Sequence, residues 1–266
     1  MRLCLASPLP LLLLLLSLPC LPQDSAKAST SSKPDLVDLI KKAQAGDAFN
    51  QNLLAMMYVS GDGVPKDFSK AMNWFSKAAE QGNAEGQYNL AVMYEQGEGV
   101  KPSCADAVKW YSRAAQQRFA PAIDNLLSMR QSGTCLKQDD KEIATLTKQL
   151  AELGRPWAQS NLGAYYAMGR GVEKNEAEAG RWFALAAEAG DPNAQWMLGQ
   201  WYRDGRGNIE KNWVTAYKWF TVAVAGGSKV DGRNFLKDKM SPEEISAAEQ
   251  QARQWIQTHP VPSGSN

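Results

Sequence analysis

Histidine is all but missing from this chain: its 266 residues contain one, His259. That count excludes a Ser-His-Asp triad, a His-Glu-x-x-His zinc helix and a two-histidine metal site. The Walker pattern Gly-x-x-x-x-Gly-Lys is absent. So are the Ser-x-x-Lys, Ser-Asp-Asn and Lys-Thr-Gly elements of penicillin-recognising enzymes, the nearest approach being Thr30-x-x-Lys33. Carboxylates are scattered, and no pair stands out as acid and base. The expected catalytic residues, metal ligands and cofactors are therefore none.

An excess of one charge is also lacking. The net charge is +1, and removing residues 1–28 takes away Arg2, Lys27 and Asp24, which leaves a neutral protein. Neither nucleic acid nor an anionic membrane would select such a surface. No Asn-x-Ser/Thr sequon occurs, which leans towards a bacterial export route. The apolar stretch Leu9 to Leu18, interrupted by Pro10 and Ser17, falls short of the roughly 20 residues that span a bilayer. Following Arg2, it reads as a signal peptide over residues 1–28, with Ala26-Lys27-Ala28 as the small-x-small cleavage pattern and a cut nearer Cys20 as the alternative. A lipidated Cys20 would be the one other route to a membrane, although Pro19 stands where bacterial lipoproteins carry a small residue. The expected location is periplasmic or secreted.

What the chain does have is a period. Gly61, Gly97, Gly133, Gly169 and Gly205 follow one another at a constant step of 36 residues, and Leu54, Leu90, Leu126, Leu162 and Leu198 keep the same step. Tyr58, Tyr94, Tyr166 and Tyr202 share it with one exception, Arg130; Trp74, Trp110, Trp182 and Trp219 share it with Leu146 as the exception. A one-residue insertion after Gly207 displaces the last Trp. Each unit predicts two helices. The first, as in Leu90-Ala91-Val92-Met93-Tyr94, sets a large apolar residue beside a small one and ends at a glycine that reverses the chain. The second starts at Asp67, Ser103, Asp139, Asn175 or Asn212, all preferred N-cap residues, and Asp106, Glu142 and Glu178 three residues on predict capping-box pairs. Ala71, Trp74, Phe75, Ala78 and Ala79 form its buried stripe, so the Trp column reads as core rather than as a carbohydrate platform. Gly82, Gly154, Gly190 and Gly227 stop the second helix, with Arg118 breaking that column.

These residues resemble Sel1-like repeats, relatives of the tetratricopeptide fold. The family pattern is met most fully by Ala158 to Val172 and Ala179 to Ala187. The resemblance implies an all-α protein, a right-handed α-solenoid of five helix-turn-helix repeats over residues 47–227. Residues 35–46 form a capping half-repeat, 228–257 carry capping helices, 29–34 are a polar linker and 258–266 a tail. At the far end Ser241-Pro242-Glu243-Glu244 starts a helix whose Ile245, Ala248, Ala252 and Trp255 share one face. The third repeat departs from the pattern at Leu127, Arg130, Cys135 and Leu146, which leaves its local curvature open.

The implied function is a scaffold that binds a protein or peptide on its concave face without catalysis, as a monomer. Two readings stay open beside it: a penicillin-binding or β-lactamase-like hydrolase, as the resemblance to Cys-rich secreted relatives permits, and a secreted factor acting on a host. By analogy with tetratricopeptide domains, the concave positions lie two before, two after and five after the Leu column. They are Asn52, Met56 and Val59; Tyr88, Val92 and Glu95; Asp124, Ser128 and Gln131; Ser160, Ala164 and Ala167; and Trp196, Gln200 and Arg203. Tyr88, Trp196 and Arg203 are of the residue types that dominate binding hot spots. In such a stack Cys104 and Cys135 fall on the same rim of adjacent repeats and are placed for a disulfide, with two reduced thiols as the alternative. Bridges in Cys-rich relatives close short helix-to-helix loops, so a pair spanning about 30 residues would be a departure.

Overall fold

A computed structural model describes residues 36–259, which fold as consecutive packed helices with no strand among them. The predicted signal peptide, linker and Cys20 lie outside the described residues, as does the end of the tail. Helix α1 (Leu36–Gln44) precedes five pairs: α2 (Ala48–Ser60) with α3 (Phe68–Glu80), α4 (Ala84–Gln96) with α5 (Cys104–Gln116), α6 (Ala120–Ser132) with α7 (Asp140–Glu152), α8 (Pro156–Met168) with α9 (Glu176–Glu188), and α10 (Pro192–Asp204) with α11 (Trp213–Ala225). Two 3₁₀ turns, Gly232–Phe235 and Lys237–Lys239, lead to α12 (Pro242–Thr258). Every paired helix is thirteen residues long. Short connections make neighbours antiparallel.

Local chemistry fixes that length. Asp67, Ser103, Asp139, Asn175 and Asn212 each accept a hydrogen bond from a backbone N–H of the first turn they open, as the N-cap reading requires. The first helices end on Gly61, Gly97, Gly133, Gly169 and Gly205, whose φ lies between 70° and 79°. Two non-glycine residues adopt the same left-handed backbone: Arg118 (φ 60°), the residue that breaks the glycine column, and Cys135 (φ 62°). The repeat geometry thus imposes the turn even where the residue resists it.

The predicted capping boxes do not form within the repeats. Ser103 Oγ donates to Asp106 Oδ2 at 2.6 Å, Glu142 pairs with Arg130 and Glu178 with Arg181 at 2.8 Å. The backbone N–H groups of Ser103 and Asn175 donate instead to the Tyr94 and Tyr166 carbonyls of the preceding helix, each at 2.9 Å, which leaves no donor for the box. The reciprocal box forms at Ser241 and Glu244, opening α12.

Each pair packs a small residue against a ring. A Cβ on Gly163 would lie 2.8 Å from the Phe183 ring, and one on Gly199 2.7 Å from Phe220. Ala55 with Phe75 and Ala91 with Tyr111 occupy the same columns, all buried. The third repeat inverts the sizes: Leu127 stands in the small column and Thr147 in the ring column, both buried. Total volume is roughly kept, but α6 packs on α7 less extensively than the first helix does on the second in the other repeats, and Thr147 Oγ1 is left buried without a partner. Three of the column's indoles are core as read, Trp110, Trp182 and Trp219 being 7%, 6% and 3% exposed, whereas Trp74 in the first repeat is only half-buried. At the far end Ala248, Ala252 and Trp255 are buried against α11, with the Trp219 and Trp255 rings edge to face at 5.7 Å.

Candidate functional site

The first helices present three columns, and the structure separates them. The column two before the Leu is not open surface. Asn52 is fully buried and Ser160 is 8% exposed. Asn52 donates to Met56 Sδ and accepts from Asn89 Nδ2 at 2.9 Å, so it ties α2 to α4 instead of facing a partner. Tyr88 is half-buried, its ring 5.6 Å from that of Tyr111 and 5.5 Å from that of Phe119. Trp196 packs among Ala216, Phe220, Leu236 and Met240. Asn89 of the neighbouring first helix covers Asn52, the rings of Tyr111 and Phe119 cover Tyr88, and the C-terminal cap covers Trp196. Asp124, in the same column, has its carboxyl pushed up by burial, with Arg155 opposing.

The remaining columns hold what surface there is. Met56 is 42% exposed and Glu95 is exposed, while Val59, Val92, Gln200 and Arg203 are half-buried. Three of the expected residues come together: Met56, Val59 and Val92 line a groove of about 280 Å³ between α2 and α4, with Phe75 and Met93 below and Ser60, Asn89 and Glu98 around the edge. Glu95 points elsewhere, accepting from Tyr111 Oη at 2.6 Å, and Asn125 Nδ2 donates to the same phenol at 2.7 Å. Burial first, and then the bond to that carboxylate, hold the phenol well above the ordinary tyrosine range. Arg203 is clamped by Asp204 through two 2.7 Å bonds and lies over the Phe235 ring at 5.2 Å. That pairing lowers the Asp204 carboxyl pKa.

One rim joins the repeats covalently and by charge. Cys104 and Cys135 form a disulfide with a Cα–Cα distance of 5.2 Å. Further along, Arg170 bonds Asp140 at 3.0 Å and Arg206 bonds Glu176 at 2.8 Å, each 30 residues apart. Among the described residues no group of three His, Cys, Asp or Glu side chains is placed to hold a metal, and no helix is long and apolar enough to cross a membrane.

A polar column was missed. Gln51, Gln87, Gln159 and Gln195 are buried, and each donates Nε2 to the carbonyl eight residues back, at the end of the preceding helix. Gln81 and Gln117 then donate to Gln51 and Gln87. Ile123 interrupts the column, and Gln159 Oε1 and Gln195 Oε1 have no donor. Its signal was the 36-residue step itself, read for polar as well as apolar residues.

A family model described as the Sel1 repeat matches residues 51–83, 84–119, 158–191 and 192–228, just over half of the chain. The chain belongs to the Sel1 repeat family. Residues 120–157, the inverted third pair, are a repeat in the structure although outside the matched segments. Among solved structures, this Sel1 repeat chain is similar to c5321, described as a protective antigen present in uropathogenic Escherichia coli strains displaying an SLR fold. The likeness is 31% identity over 86% of this chain and 52% of that one, with a TM-score of 0.59. This chain therefore spans about half the length of that protein. A Sel1 repeat protein from Oxalobacter formigenes is 29% identical over 84% of this chain and 91% of its own, with a TM-score of 0.55. Among curated proteins none matches. Sel1 repeats in general mediate protein–protein interaction.

Proposed function

We propose that this Sel1 repeat chain is an exported scaffold, without catalysis of its own, that seats a segment of a protein partner against its first helices and anchors it in the α2/α4 groove. The observation that carries the reading is the Met56–Val59–Val92 groove. It is apolar, open at an exposed methionine, and edged by a hydroxyl, an amide and a carboxylate. Methionine adapts to varied apolar side chains, and the polar edge can fix the direction of a bound backbone. Export is supported by the leader-like sequence and by the Cys104–Cys135 bridge, since such bonds persist in oxidising compartments.

The test is affinity capture with the mature protein, comparing wild type with Met56→Glu/Val92→Glu. Both positions are partly exposed, so the double variant should fold with a melting temperature near that of wild type. A partner captured by wild type and lost by the variant supports the groove. Retention at full strength overturns it.

A further inference from the structure

One end of the α2/α4 groove is charged and the other is not. The charged end lies where both helices finish, at Ser60 on α2 and at Glu98 just beyond α4. Helix C-termini carry partial negative charge, so this end favours a cation. The two helices add the carboxylates of Glu85 and Glu95 and no basic residue. Towards the start of α2 the surface turns apolar: Phe49, two turns before Met56 and on the same face, is 59% exposed.

Glu98 differs from its counterparts two and three repeats further on. Those are Arg170, bonded to Asp140 at 3.0 Å, and Arg206, bonded to Glu176 at 2.8 Å, each pair 30 residues apart. The same step back from Glu98 reaches Phe68, whose ring carries Lys66 Nζ at 4.5 Å. The second repeat thus puts a carboxylate where later repeats put a guanidinium. Among the described residues that carboxylate has no hydrogen bond and no ion pair, although Glu98 is half-buried. A partly buried charge left without a counter-charge costs free energy that a bound cation recovers.

We propose that the partner segment seated in this groove is basic: it sets a lysine or arginine against Glu98, beside an apolar side chain held by Met56, Val59 and Val92. Such an occupant rests on the groove being the docking site, and it adds the charge of what docks there.

The probe is a phage-displayed library of random dodecapeptides selected on the mature protein. Met56→Ser/Val92→Ser, which removes the apolar walls without adding charge, serves as the counter-target. Peptides that bind wild type and not this variant should pair an apolar residue with lysine or arginine. Their affinity for Glu98→Gln should fall about fivefold, the upper range for a partly exposed ion pair. Selection on Glu98→Lys should return aspartate or glutamate instead; the turn accepts that change, since Arg170 and Arg206 occupy it in later repeats. Groove-dependent peptides without an excess of basic residues overturn the basic occupant and leave the groove standing. So does an unchanged affinity for Glu98→Gln, or the same sequences selected on Glu98→Lys. If no selected peptide depends on Met56 and Val92, the groove and its occupant fall together.

Discussion

Cys135 meets Cys104 at the place where the repeats on either side bring a glycine against backbone. The two cysteines are 31 residues apart, and the same step leads from Phe68 to Gly99, from Asp140 to Gly171 and from Glu176 to Gly207. A Cβ on Gly99 would lie 2.7 Å from the Phe68 carbonyl oxygen, and one on Gly207 2.8 Å from that of Glu176. There is no room for a side chain at this rim, and the third repeat resolves the crowding by bonding the side chain to its neighbour.

The first prediction concerns that bond. Thiol titration of the exported protein under denaturing, non-reducing conditions should find neither Cys104 nor Cys135 reactive. In the loop-entropy model, closing a loop of this length stabilises by about 3–4 kcal/mol. Denaturant unfolding of Cys104→Ala/Cys135→Ser should show a loss of that order. Cys104→Ala/Cys135→Gly should recover about 1 kcal/mol of it, because glycine accepts the left-handed backbone of position 135 without a Cβ penalty. Equal stability of the two double variants would contradict the strain argument.

Thr147→Val should raise the melting temperature. The hydroxyl is buried without a partner, and the isosteric methyl removes a desolvation cost of about 1 kcal/mol or more. A fall in stability would show that a water or a shifted rotamer satisfies the oxygen.

Ala189→Gln should stabilise by about 1 kcal/mol. Position 189 follows α9 as Gln81 follows α3 and Gln117 follows α5. A glutamine there can donate to the orphaned Gln159 Oε1, as Gln81 donates to Gln51 at 2.7 Å. The gain should vanish in a Gln159→Leu background, which a double-mutant cycle measures directly.

Trp182→Ala should cost roughly 3–5 kcal/mol, since a 6%-exposed indole is lost between stacked helices. An unchanged unfolding midpoint would return the Trp column to the surface.

The fold was legible because one signal recurs five times. Leu, Gly, Trp and N-cap columns each test the same 36-residue unit, and helix ends governed by Asp67 or Gly97 depend on local chemistry alone. The site was less legible, for a reason visible at Tyr88 and Asn52. A position's place on its own helix is written in the sequence, whereas the rings of Tyr111 and Phe119, or the amide of Asn89, reach it only through the spacing of helices. Met56, Val59 and Val92 stay partly exposed, as their places on the first helices suggest. The exchange of sizes between Leu127 and Thr147 was written in the sequence too, but appears only when the two columns are read as a pair.

The glutamine column has a further consequence. Its donors cross from α2 to the end of α1, from α4 to α3, from α8 to α7 and from α10 to α9, so four of the five junctions between repeats carry a buried directional bond. The junction of α5 with α6 has Ile123 in place of the donor, and it is also the junction that Cys104 and Cys135 span. The α5–α6 junction thus relies on the covalent clasp and on the half-buried Asn125–Tyr111 bond where the other junctions have a buried glutamine. In a reducing medium the molecule should come apart first between α5 and α6. Amide exchange would then divide it into two blocks that open separately, whereas the oxidised chain would melt as a single column.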